Sequence, residues 1–419
     1  MKKLLVVLLT ACMLLGFCGC SPKTPEPTGP VEVTYWHTYT EHHNDYLNAL
    51  IDEFNKSQNE VHVTAVQQPY QDYDANLLQA VRNGVGPDVC SRYSNEVIEY
   101  IADDLLVDFA PYINDKEIGI PTFKSDMVGK LYGEITQFGE DKIYMIPVIC
   151  TSEVYYYNKT LFDELGLKAP TTWKELEEVS RTIYQKTGKP GWGSDSLMDT
   201  YAGILIQKGS GYINPTTKKV EFDNEIALET LKWLKSCIDE GIFRLVGDDY
   251  YFSGPFTSGA VASYTGSSAG VGYATANDGK FEVACAPIMQ DANGYIPSWG
   301  GGMVCFKSTP EREEAAYKWL KYFSSTEVAA KWAIEFGASP AYTSSLNTPE
   351  YQEYTKTNIA AAALAAEMPN LNWLSGIYGS STVRTEIDKM LLTVLTGQAE
   401  PEAALKACVE ACNAALNEH

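Results

Sequence analysis

Rings and short polar side chains gather just beyond the segments that read as strands. That placement suits recognition of a hydroxyl-rich molecule better than bond-making chemistry. Trp36, His37 and Tyr39 leave the first strand, Tyr70 and Tyr73 follow the second, and Tyr93 and Glu96 follow the third. Farther along, Trp192, Asp195 and Tyr201 fall in a glycine-rich stretch read as a loop. Ring faces cover apolar C–H surfaces, while phenol, imidazole and carboxylate edges pair with hydroxyls. With 27 Tyr and 8 Trp, the chain is well supplied with such platforms. Trp233, Trp319 and Trp332 differ: each lies on a helix-spaced apolar stripe and is expected in the core.

Two other chemistries have weaker support. Glu41, His42, His43 and Asp45, with His37 upstream, offer imidazole and carboxylate donors of the kind zinc takes. Neighbouring residues on a helix point about 100° apart, so His42 and His43 are not expected to share an ion, and only His62 and His419 remain. No metal site and no cofactor is expected. An enzyme needs a nucleophile, a base and an orienting group, yet no His-Glu-x-x-His, Gly-x-Ser-x-Gly or P-loop pattern occurs. The 54 acidic residues leave a glycosidase carboxylate pair open on composition alone.

The elements that must position these groups follow from periodicity. Val31, Val33 and Tyr35 alternate as a half-buried strand, and Tyr46, Leu47, Leu50, Ile51 and Phe54 have helical spacing. Val61, Val63 and Ala65 alternate again, Asn76 to Val81 reads as helix, and Asn83 to Asp88 breaks it before a third strand. Strand alternating with helix is the mark of a parallel α/β sheet. Residues 142–157 are rich in β-branched and aromatic types; Trp173 to Tyr184 and Ile226 to Ile238 read as helices. Short strands at 260–264 and 281–286 precede helices at 312–323, 326–336, 358–367 and 382–395, and a last one opened by Pro401. The pattern gives two α/β lobes with a helical finish. Where two open sheets face one another, ligands bind outside the carboxyl ends of the strands.

The chain's beginning reads as a sorting signal. Lys2 and Lys3 precede an apolar stretch from Leu4 to Phe17, too short for a permanent span. Phe17-Cys18-Gly19-Cys20 resembles a bacterial lipobox, with Cys20 as the lipidated residue; the alternative, Cys12, leaves too short an apolar region. Residues 21–30 carry four prolines and nothing to bury, which reads as a tether. A lipid there places the protein on the outer face of the cytoplasmic membrane. The formal charge of −22, or −24 once Lys2 and Lys3 leave with the signal, argues against nucleic acid as a partner. Seven cysteines beyond Cys20, scattered and mostly in apolar surroundings, read as buried thiols rather than a disulfide framework.

Several segments together resemble the extracellular solute-binding proteins of carbohydrate-type ABC importers, over about residues 31–400. They are Val33-Thr34-Tyr35-Trp36-His37, Asn83 to Val89 with its Gly-x-x-Pro-Asp-Val-like pattern, and Pro147 to Lys159 ending in Tyr-Asn-Lys. Phe256 to Ala262, Trp299-Gly300-Gly301-Gly302, Ala315 to Leu320 and Gly337 to Pro340 continue it. The resemblance implies a two-lobed, type II Venus-flytrap fold with several crossings between lobes, near 148–152, 297–301 and 322–327. The first lobe is then 31–148 plus 300–325, and the second 149–299 plus 326–419. It further implies a monomer that captures a sugar in the cleft without transforming it and hands it to a membrane permease.

On that basis Thr151, Ser152 and Glu153 lie at one crossing, and Trp299, Gly301 and Gly302 at another. The chain also partly resembles the family's glycerol-3-phosphate-binding branch. Arg384 falls where that branch places an arginine on the phosphate, and Ser152, Ser267 and Gly301 fall near its polar contacts. Ala338 and Ser94 depart from the branch's pattern, and its tandem tryptophans are absent. A carbohydrate is therefore the first expectation and glycerol phosphate the second.

Overall fold

The structure, a computed structural model, describes residues 29–69, 73–139 and 141–417. Its first lobe starts from three parallel strands, Val31–His37 (β1), Val61–Gln67 (β2) and Val89–Tyr93 (β3), with β1 between the other two. Alternation in β1 buries Val33, Tyr35 and His37 on one face. The helix Glu41–Ser57 lays Leu47, Leu50, Ile51 and Phe54 on the sheet, and Pro310–Phe323 covers it with Trp319, which packs on Tyr35 and Phe54. All three strands point their carboxyl ends the same way, as the strand–helix alternation predicts.

Two longer strands tie the lobes together. Ile146–Asn158 (β4) pairs through residues 146–152 with Ile296–Cys305. From Glu153 onward it pairs instead with Ser263–Ser267 (β5) and from Val154 also with Val283–Pro287 (β6). Ile296–Cys305 (β7) likewise pairs with β3 over Gly301 to Cys305 and with Leu371–Asn372 at its start. Each strand thus changes partners along its length, and the sheet passes from one lobe into the other through continuous backbone.

Two expectations are corrected. The expected second lobe includes residues 326–346, but Trp332 in the helix Thr326–Phe336 packs on Tyr39, Tyr46 and Phe323. Ser344 then bonds Asp126 through both its N–H and hydroxyl. This segment belongs with the first lobe, because its apolar stripe finds its partners there. The stretch around Asp195 and Tyr201 is not all loop: Leu197–Gln207 is a helix apolar on nearly every face and almost wholly buried, a pattern without amphipathic period.

Cys90, Cys150, Cys237, Cys305, Cys408 and Cys412 are buried free thiols. Cys408 and Cys412, one helical turn apart, keep their sulfurs 3.7 Å from each other. No helix among the described residues is long and apolar enough to cross a membrane.

The β4–β7 pairing has a bulge between Gly301 and Gly302. A Cβ on Gly302 would overlap the Ile146 carbonyl oxygen and lie 2.6 Å from Pro147 Cα, so the two crossing strands meet where only glycine fits. Gly302→Ala should lower stability by about 1–3 kcal/mol, read as a lower urea midpoint; an unchanged midpoint would show that the contact yields freely.

Candidate functional site

The carboxyl ends of β1, β2 and β3 open on a cleft made of two connected compartments. The larger, about 780 Å³, is walled on the first-lobe side by Tyr39, Tyr73, Tyr93, Glu96 and the glycines 301 and 302. Tyr251, Ala269 and Tyr273 face it from the second lobe, and the two tyrosines are largely exposed. The smaller, about 440 Å³, runs on past Trp299 and Trp373 to Tyr212, Ser298, Ser380 and Arg384. Asp74, Ala75, Arg92 and Glu96 line both.

Arg92 stands where the compartments join. Its side chain is almost fully buried and donates to Asp74 at 2.7 Å, Glu96 at 3.4 Å and the Tyr100 hydroxyl at 3.1 Å. The guanidinium also lies over the Tyr73 ring, 4.9 Å from its centre. Glu96 accepts the Tyr93 N–H at 2.9 Å, and burial raises its pKa although Arg92 opposes the shift. Arg384 is held by a fork: its two terminal nitrogens donate to the two carboxylate oxygens of buried Asp199, at 2.8 and 2.9 Å. Both cations that line the cleft among the described residues are therefore already paired inside the protein.

Of the residues singled out from the sequence, Tyr39, Tyr93, Glu96, Trp299, Gly301, Gly302 and Arg384 line the cleft. Trp36 does not reach it: strand alternation turns Trp36 to the opposite face, and its neighbour Tyr35 lines the cavity instead. His37 lies behind the wall. It stacks on Tyr39, accepts the Tyr39 N–H at Nδ1, and is held neutral by burial, which lowers its pKa to about 4.

Trp192 is core, packed among Trp173, Trp233 and Phe243. Tyr201 is equally buried and donates to the Ala227 carbonyl. Asp195 accepts the Phe252 N–H at 2.6 Å, and Ser267 caps the turn that carries Ala269. None of these four lines either compartment. Tyr70 and Cys20 lie outside the described residues.

Asp74, Arg92, Tyr251 and Tyr273 also line the cleft, although the sequence does not single them out. Arg92 could have been suspected from its period, since on β3 it shares a face with Cys90, another buried residue; nothing local marks the other three. His42 and His43 also depart from expectation. Their rings come within 4.0 Å of each other, centre to centre, beside Glu335.

Thr151, Ser152 and Glu153 are buried at the point where β4 changes partners. Ser152 donates to Glu367 at 2.6 Å, and the other oxygen of Glu367 accepts the Ile288 N–H, also at 2.6 Å. Burial raises Glu367 to about 8 against these two hydrogen bonds. Glu153, with one buried oxygen lacking a partner among the described residues, is raised well above the usual range by burial and then by Asp195, Asp199 and Glu367. At the neighbouring crossing strand, Glu134 accepts the Gly300 N–H at 2.8 Å and the Ser94 hydroxyl. Burial raises it to about 7. Three carboxyl groups whose pKa values burial raises thus stand beside the strands that cross between the lobes.

These features agree with the comparisons. Residues 49–359 match the family model described as bacterial extracellular solute-binding protein, and the chain belongs to that family. It is 24% identical over 411 residues to the sn-glycerol-3-phosphate-binding periplasmic protein of Pectobacterium atrosepticum, covering 92% of this chain and 91% of that one. The fold is similar to the cyclic alpha-maltosyl-1,6-maltose binding protein of Arthrobacter globiformis, with a TM-score of 0.80, 26% identity, and coverage of 93% and 100%. It is equally similar, at 18% identity and a TM-score of 0.80, to a Mycobacterium tuberculosis protein solved with glycerophosphocholine, covering 93% and 99%. The fold is the two-lobed type II α/β arrangement.

The raised carboxyls make stability fall with pH. A folded-state pKa above the unfolded value of 4.5 means the native state holds extra protons. That contribution is complete below about 4.5 and lost as pH rises through about 7 for Glu134 and about 8 for Glu367. Urea midpoints should therefore decline across this window. The decline should be shallower in Glu134→Gln and Glu367→Gln, which keep an acceptor oxygen; slopes parallel to the parent's would contradict the assignment.

Proposed function

We propose that this chain is the capture component of an ABC importer and closes its two lobes over a neutral carbohydrate. The observation that carries the reading is the pairing of Arg92 with Asp74 and Glu96, and of Arg384 with Asp199. A phosphate would have to share each arginine with the carboxylate that already neutralises its charge, or displace that carboxylate at a cost. A sugar needs no such exchange. It can lie on Tyr39, Tyr73, Trp299 and Trp373 and pair its hydroxyls with Glu96, Asp74 and the serines of the smaller compartment.

The cleft wall contributed by the first lobe comes from 31–148 and 300–346, and the wall opposite from the segments carrying Tyr251, Tyr273 and Arg384. Contacts from one guest to both walls favour the closed form. The combined cleft accommodates more than a single ring, in keeping with an oligosaccharide guest. The protein is held at the outer membrane face through Cys20, presents the loaded form to a permease as a monomer, and leaves the guest chemically unchanged.

Relatives named for glycerol-3-phosphate make that ligand the reading to test against. Melting curves with malto-oligosaccharides, other di- and oligosaccharides, glycerophosphocholine and sn-glycerol-3-phosphate separate the two. A ligand at 100 times its dissociation constant adds about 2.7 kcal/mol. The expected result is a rise in melting temperature with at least one saccharide and none with the phosphates, and loss of that rise in Trp373→Ala. A rise with sn-glycerol-3-phosphate alone would overturn the carbohydrate reading.

A further inference from the structure

We propose that His42, His43 and Glu335 form a binding site for a divalent transition metal, zinc by its donor chemistry, on the rim of the larger compartment. One nitrogen from each imidazole and one Glu335 carboxylate oxygen all lie within 4.8 Å of one another. Two sequence neighbours on a regular helix would diverge, but these do not: His42 Nε2 is 3.7 Å from Glu335 Oε1, and His43 Nε2 is 3.1 Å from the Glu335 carbonyl oxygen. The residue before the pair, Glu41, has φ of 48°, in the left-handed region that a residue with a side chain enters at a cost. The helix Glu41–Ser57 therefore starts with a local distortion beside the two rings.

The donor set decides the ion. Two imidazole nitrogens and one carboxylate oxygen match zinc and its neighbours in the transition series, whereas magnesium and calcium take oxygen shells. Zinc bonds of about 2.0–2.2 Å put tetrahedral donors roughly 3.4 Å apart. The present spread closes to that by turning His42, whose side chain is 65% exposed. The contact to the Glu335 carbonyl orients the second ring, as outer hydrogen bonds do for metal-bound histidines. Water on the open side completes the shell.

An ion here would join the start of Glu41–Ser57 to the end of Thr326–Phe336. His43 and Phe336 both line the larger compartment, and Phe336 packs on His43 and Tyr39. Metal occupancy would therefore stiffen one edge of the mouth through which a guest passes. The site is independent of what that guest is.

Calorimetric titration of the untagged mature chain with zinc chloride, and separately with magnesium chloride, tests the proposal. One zinc per chain is expected, with no magnesium binding at the same concentrations. His42→Ala and Glu335→Gln should each weaken zinc at least tenfold while leaving the metal-free melting temperature unchanged. Absence of saturable zinc binding in the parent overturns the site, and so does undiminished binding in either variant, which would place the ion elsewhere.

Discussion

The neutralisation of the two cleft arginines by carboxylates of the same chain is the constraint on which the rest turns. A buried guanidinium must be paired, because an uncompensated charge out of water is among the most costly features a fold can hold. Asp74 and Glu96 meet that need for Arg92, and Asp199 meets it for Arg384. The cleft is left acidic to neutral in character, with ring faces and hydroxyl-scale hydrogen-bonding groups as its free surface. Arg384, which the resemblance places near a phosphate, lines the smaller compartment and is also held by Asp199 inside the fold.

Around that constraint, the two crossing strands explain how the halves communicate. Each of β4 and β7 belongs to both lobes, so a rotation of one lobe relative to the other must be absorbed where partners change, beside Ser152 and Trp299. Buried carboxyls stand at these places: Glu134 on the Gly300 N–H, and Glu367 between Ser152 and Ile288. Protonated or charged, each is anchored by more than one donor, which fixes the crossing backbone on both sides of the cleft.

Much of this was legible in the sequence. The parallel β1–β2–β3 unit, its covering helices and the run of helices after residue 310 follow from side-chain period, a local property. The strand-end rule then placed Tyr39, Tyr93 and Glu96 at the wall. Failures came where a one-residue shift or a distant partner decides. Trp36 and Tyr35 differ only in the face they occupy. The glycines around Trp192 and Tyr201 point to a loop, whereas packing against Trp173, Phe243 and the Ala227 carbonyl makes them core. Tyr251, Tyr273 and Glu335 reach their positions only through tertiary contact, which no local pattern carries.

Salt dependence of ligand binding tests the claim about charge most directly. Titrating the tightest-binding ligand at about 0.05 M and about 0.5 M salt changes the screening length several-fold without changing the cleft. A guest held by rings and hydroxyl partners should show the same dissociation constant within about twofold, since no free charge is screened. Affinity that falls steeply with added salt would mean that Arg92 or Arg384 engages an anionic guest, and the account would be wrong.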